Sequence, residues 1–404
     1  MGRYQDIVSI LEGVISYSDN NKKKMAYYAL GYYKFLLGQD GSEDYKKAET
    51  ALLGSSYPLR LGEKAVLEDV IMRTDSKTAK MLLGCLLYNK LQYVEAANLW
   101  KQCDDYISKR NLAAAYFSHL NRKKDALSIM KTLVNERKDD EEILYETICL
   151  MDKMCVPPQE RIGLIKSRKS NRDDILLELA KAYNLAFLPD QAIETLMSHS
   201  FVPCEGGEHA VGDQYMFAYL VKGKTELDKE NYQKALEFFR EGQVLPQNLG
   251  AGIWNHCKLV PLRFFEAICL EKLGKKTEAN AIFLYIANIE VEYFSNMFLK
   301  ELPYYQALSF KHLGEELKAQ HLITKYYREW SKIKDIKDNG YFDTNRFFIS
   351  FIVEPEQLRY AQYLYLIGLC ENYKGNSEKA KEFINKSAEL NSDCMEIAFF
   401  QKML

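Results

Sequence analysis

The 404 residues could form two or three compact domains or one elongated repeat array. A formal net charge of −2 supplies no field that would gather nucleic acid or an anionic membrane. Nine prolines and 21 glycines are too few for the closely spaced turns of an all-β fold, and no run of about 18 apolar residues suggests a membrane span. Nine cysteines without a C-x-x-C pair read as small buried hydrophobes in a reducing compartment, so a cytoplasmic location is expected. The 28 tyrosines and 20 phenylalanines suit the wedges between stacked helices.

Residues 1–75 open with Ile7, Ile10, Leu11 and Val14 at helical spacing, but the periodicity is imperfect, as in a capping region. The first six residues lack the apolar core of a secretory signal, and Asp6 stands where a myristoylation signal needs Ser or Thr. Lys22–Lys24 and Arg122–Lys124 read as solvated helix ends. From residue 76 to 404 the helical stripes are regular and continuous with this region. Pro58, Pro157, Pro158, Pro189, Pro261, Pro303 and Pro355 fall at or near helix starts, where the missing N–H costs nothing. Gly38, Gly54, Gly274, Gly314 and Gly375 fall where helices should end.

A stricter pattern lies inside these stripes. A small residue is followed twelve positions later by alanine in Gly84/Ala96, Ala180/Ala192, Gly223/Ala235, Ala267/Ala279, Ala307/Ala319 and Gly368/Ala380. Four positions further on stand Trp100, Leu196, Phe239, Phe283, Ile323 and Ile384. Two helices joined by a tight turn approach closely only if each carries a small side chain at the crossing, and the large residue would plug the groove toward the next pair. Ala113 to Ala126 is a seventh instance, one residue longer; Glu141–Lys153 with Pro158–Lys166 is an eighth pair without the small-residue mark. On these residues the sequence resembles the tetratricopeptide-repeat family. The expected fold is all-α, a right-handed superhelical solenoid of about nine or ten antiparallel helix pairs. An irregular segment is expected around Tyr341–Glu354.

Two loops exceed the usual turn length: Ser200 to Gly212 and Leu245 to His256. Both join a second helix to the next first helix, so they should lie side by side on one edge of the array. Together they offer Glu205, Gly206, Gly207, Glu208, His209, Asn248, Gly250, Trp254, Asn255 and His256. One reading is architectural, with glycines making turns and Phe201, Leu249 and Trp254 pinning the loops. Another is a binding surface, with carboxylates and amides meeting hydroxyls while Trp254 stacks on an apolar face. Glu205 and Glu208 are too close in sequence to flank a glycosidic bond without unusual loop geometry. His199, Cys204, Glu205 and His209 fit no zinc spacing, so no metal or cofactor is expected.

The stretch from Arg172 through Phe201-Val-Pro-Cys-Glu-Gly-Gly-Glu208 to Pro246-Gln-Asn-Leu-Gly-Ala-Gly252 carries a narrower resemblance. With Tyr57-Pro-Leu-Arg-Leu61, Leu83-Gly-Cys-Leu-Leu-Tyr88 and Arg110-Asn-Leu-Ala113, it is similar to the C-terminal repeat region of large bacterial proteins with an N-terminal galactose-mutarotase-like domain of unknown function. Cys204, His209, Val202 and Ile253 depart from that pattern, which has Trp, Gly, His and Lys there. The resemblance implies a scaffold associated with carbohydrate metabolism, holding a mutarotase-like domain or a glycan. The repeats themselves imply a protein or peptide partner; the alternative is a peptide-binding regulator or adaptor. Thr78–Lys90 and Ser108–Leu120 lack the Lys and Asn of a carboxylate clamp. No nucleophile–base pair or phosphate loop emerges, so a glycoside-active enzyme is disfavoured and no catalytic residue is expected.

Overall fold

The computed structural model describes residues 2–17, 23–54, 57–203, 209–250, 252, 256–291, 299–336 and 351–404. Among these, every regular element is helical: 21 α-helices and three short 3₁₀ turns. The chain packs as two compact units, Met1–Arg137 and Lys138–Leu404. The irregular segment expected around Tyr341–Glu354 lies largely outside the described residues.

In the first unit, helices Lys77–Asn89 and Tyr93–Trp100 form a pair, as do Tyr106–Ser118 and Lys123–Glu136. The first helix of each pair is capped locally. Ser76 accepts from the Ala79 N–H at 3.0 Å and Asp105 from the Ser108 N–H at 3.0 Å, each satisfying an orphan first-turn donor. Residues 1–75 use the same packing logic as the array. Helices Lys24–Leu36 and Ser42–Thr50 touch where a Cβ on Gly31 would stand 2.6 Å from the Tyr45 ring.

The second unit stacks six pairs: Glu141–Lys153 with Pro158–Lys166, Asp173–Leu185 with Pro189–Met197, Ala210–Asp228 with Tyr232–Glu241, Val260–Lys272 with Lys276–Ala287, Leu302–His312 with Glu316–Trp330, and Pro355–Tyr373 with Ser377–Leu390. Pro158, Pro189, Pro261, Pro303 and Pro355 sit in the first turns, as their fixed φ and missing N–H favour. A thirteenth helix, Met395–Met403, follows the sixth pair.

The small-residue rule is realised at every expected crossing. Ala180, Ala267 and Ala307 are buried, as are Gly84, Gly223 and Gly368. A Cβ on Gly84 would lie 2.4 Å from the Trp100 ring, and one on Gly223 would lie 2.4 Å from the Phe239 ring. The large residue therefore does more than expected. It covers the small residue of its own pair and also reaches the next pair, as Phe239 does on Phe265 and Phe283 on His312. Trp100 spends its indole N–H on the Met81 carbonyl at 3.1 Å, so its burial leaves no donor unpaired.

Two turns share a signal that small-residue spacing does not reveal. Glu226 accepts from Asn231 at 2.9 Å and from Lys229 at 2.9 Å, with Lys234 beyond. Glu371 repeats this with Asn376 at 2.8 Å, Lys374 at 3.1 Å and Lys379. The carboxylate on the last turn of a first helix thus fastens the start of the second. Asn231 and Lys229 hold Glu226 down to about 2, well below the usual carboxylate range.

Candidate functional site

The described parts of the two long loops meet. The Phe201 N–H donates to the Asn248 carbonyl at 2.8 Å, and the Asn248 amide donates to the carbonyls of Leu196 at 3.0 Å and His199 at 2.7 Å. Gly250 is required by this joint. Its φ is +63°, and a Cβ there would lie 2.4 Å from the Phe201 carbonyl oxygen. Phe201 and Leu249 are buried beneath it. Asp173, opening the helix Asp173–Leu185, anchors the other side, accepting from His199 Nε2 at 2.7 Å and from the Val202 N–H at 2.8 Å.

These contacts give the candidate residues distinct positions. Asn248 spends both amide hydrogens on carbonyls at and just beyond the end of the helix Pro189–Met197, so its side chain fastens the joint. His209 precedes the helix Ala210–Asp228, which begins three residues earlier than the expected start near Asp213. His256, itself exposed, opens the 3₁₀ turn His256–Leu259, whose Cys257 and Leu259 are buried. Glu205, Gly206, Gly207, Glu208, Trp254 and Asn255 lie outside the described residues. Asn248→Ala is expected to leave two carbonyls without their donor and destabilise the second unit by about 1–2 kcal/mol. Urea denaturation would measure this; no change would mean that water replaces the amide without cost.

A second site was not singled out from the sequence. The last helix, Met395–Met403, runs across the first helices of five successive pairs in the second unit. Phe399 packs edge-on against Phe217 and Phe265, each with centroids 6.1 Å apart. Phe400 meets Tyr304 at 5.7 Å, Tyr305 at 6.4 Å and Tyr365 at 5.9 Å. Lys402 holds its ammonium 3.9 Å from the centre of the Phe187 ring. Ile397, Phe399 and Phe400 are all buried, so the groove formed by the first helices is filled by the chain's own end.

Charged groups lie beneath the start of this helix in two clusters. In the first, Lys181 contacts Asp152 at 2.7 Å, Glu178 at 3.8 Å and Asp393 of the terminal segment, while Arg161 pairs with Asp152. Burial and the neighbouring carboxylates push Asp393 well above the ordinary range. Burial alone would raise Asp152, but Lys181, a hydrogen bond with Asp393 and Arg161 together hold it below its usual value. In the second, Lys258 pairs with Asp213 at 2.7 Å beside a cavity of about 60 Å³ that Glu301 and Glu396 also line. Burial first, and then the charge of Glu396, pushes Glu301 up to about 7.

Two larger cavities flank the segment before the last helix. One of about 500 Å³ is bordered by Cys155, Arg161, Phe187 and Asn391; one of about 860 Å³ is bordered by Asp152, Phe351, Leu358 and Asp393. Among the described residues, no group of three His, Cys, Asp or Glu side chains could hold a metal ion, and no helix is long and apolar enough to cross a membrane.

No family model matches the chain. Among solved structures it is similar, at 13% identity in each case, to three helical-repeat proteins. A structure of Naa15/Naa10 bound to HypK-THB gives a TM-score of 0.38 over 83% of this chain and 62% of that one, so the chain spans less than two thirds of that protein's length. An IFIT1 monomeric mutant with Gppp-AAAA gives 0.29 over 96% of this chain and 95% of that one. The P58(IPK) TPR domain gives 0.23 over 96% and 94%.

Proposed function

We propose that the chain is a non-catalytic scaffold that holds a helical segment of a protein partner across the first helices of residues 138–404. The observation that carries this reading is the terminal helix itself. Its aromatic pair inserts between rings contributed by four different first helices, so the groove accepts an amphipathic helix through its apolar face. Aromatic anchors in a preformed apolar slot are the usual energetic centre of such recognition. The loop joint is a weaker candidate, because the described amide of Asn248 is already engaged inside the fold.

A labelled peptide of residues 391–404 tests the groove directly. The host is the full chain carrying Phe399→Ala and Phe400→Ala, whose own tail is loosened while every groove residue is retained. Saturable binding to this host, at least tenfold tighter than to the unaltered chain, is the expected result in fluorescence anisotropy. No binding to either chain would overturn the reading.

A further inference from the structure

The helix Gly2–Tyr17 carries two apolar seams, and its neighbour uses the first of them. Tyr4, Val8, Leu11 and Ile15 recur at spacings of four, three and four, and this seam meets the helix Lys24–Leu36. Val8 is buried there, Tyr4 sets its ring 5.8 Å from that of Tyr33, Glu12 pairs with Lys34 at 3.7 Å, and Lys23 donates to the Ile15 carbonyl. Ile7, Ile10, Val14 and Tyr17 repeat the rhythm at three, four and three. This second seam faces water: Ile10 is 65% exposed, Val14 53% and Tyr17 94%, while Ile7 is half-buried. A Cβ on Gly13, beside Val14, would meet nothing within 4 Å. The outermost helix of a repeat array ordinarily turns a polar face outward. Apolar residues alternating at three and four are the pattern of a helix packed lengthwise on another helix.

We infer that the occupant of this second seam is the same helix of a second copy of the chain, running antiparallel about a two-fold axis. In that register Ile10 of each copy meets Val14 of the other, and Ile7 meets Tyr17. One patch used twice thus matches every apolar side chain of the seam. The charges favour this direction. Arg3 and Asp6 lie along the seam at one end of the helix, whereas the other end, from Gly13 to Tyr17, carries no charge. A parallel pair would bring Arg3 onto Arg3 and Asp6 onto Asp6; the antiparallel pair sets each charged end beside an uncharged one. Glu12 is turned away from the seam, toward Lys34. Gly13, beside the crossing, leaves room for the second backbone to approach. Four side chains per copy are far fewer than the roughly 20–30 residues a side of a standard interface, so the dimer is weak and forms at high protein concentration. It uses no residue of the groove and is independent of the groove reading.

Sedimentation equilibrium of the full chain tests this. The weight-average mass is expected to rise from that of one chain at about 1 µM toward that of two at about 300 µM, with a dissociation constant on the order of tens of micromolar. Ile10→Lys and Val14→Glu, each at a position more than half exposed, should each weaken self-association at least tenfold and leave the thermal unfolding midpoint unchanged. Mixed in equal amounts, the two variants should associate again, because the antiparallel register sets the introduced ammonium against the introduced carboxylate. Ile10→Glu with Val14→Lys is the reciprocal pair, to be used if either variant folds poorly. A single-chain mass at every concentration would overturn the inference, as would association that both single variants leave intact. Loss of association in each variant with no recovery in the mixture would equally overturn it, since a parallel pair gives that result.

Discussion

Arg161→Met is expected to destabilise the second unit by about 3–5 kcal/mol, the cost of removing one partner from a buried ion pair. The guanidinium is 2% exposed and pairs with Asp152, which is also buried. Removing it leaves Asp152, Glu178 and Asp393 facing Lys181, with Lys153 acting on Glu178 from the edge. The attraction that the pair gains is largely cancelled by desolvating its members, so the pair itself need not be strongly stabilising. The penalty lies in the charge that remains. Arg161→Met combined with Asp152→Leu should therefore recover most of the loss, since the charge and its partner leave together. Urea denaturation of the two variants and the unaltered chain measures both terms. A single-variant cost under about 1 kcal/mol, in the range of an exposed pair, would mean that water reaches the cluster freely.

The reach of sequence reading can be traced to particular residues. Gly84, Ala180, Gly223, Ala267, Ala307 and Gly368 were legible because a close helix crossing within one pair is a local constraint, repeated at a fixed spacing. The pair Glu141–Lys153 and Pro158–Lys166 was legible without that mark, from apolar periodicity and a proline in the first turn. The loops were legible by length and by their apolar anchors. The position of Asn248 was not, since an asparagine between turn glycines looks the same whether it faces solvent or closes a joint. The groove was hidden for a different reason. Phe399 meets Phe217 and Phe265, and Asp393 meets Lys181, across well over a hundred residues of sequence. No helical period encodes such contacts. Lys181 and Glu178 stand one helical turn apart, a spacing that exposed ion pairs share, so nothing local marks that the stack turns their face inward.

Glu301→Gln is expected to stabilise the second unit by up to about 3 kcal/mol at pH 8 and to change it little near pH 4.5, at about 1.4 kcal/mol per unit of pKa shift. Glu301 is buried at the start of the helix Leu302–His312, and burial, reinforced by Glu396, raises it from 4.5 to about 7. The folded chain therefore holds this proton more tightly than the unfolded chain does. The stabilisation that follows is fully present below about pH 4.5 and is lost as the pH rises toward about 7. Carboxylates held low, such as Glu226 and Glu371, act in the opposite sense and lose their contribution only in more acidic solution. In the unaltered chain, stability should therefore decline across the window from about pH 4.5 to about 7, and the glutamine variant should remove much of that slope. Unfolding curves at pH 4.5, 6 and 8 would show it. Equal slopes in the two proteins would mean that Glu301 is hydrated in the folded state, and that the charge crowding beneath the terminal helix is relieved by water rather than by protons.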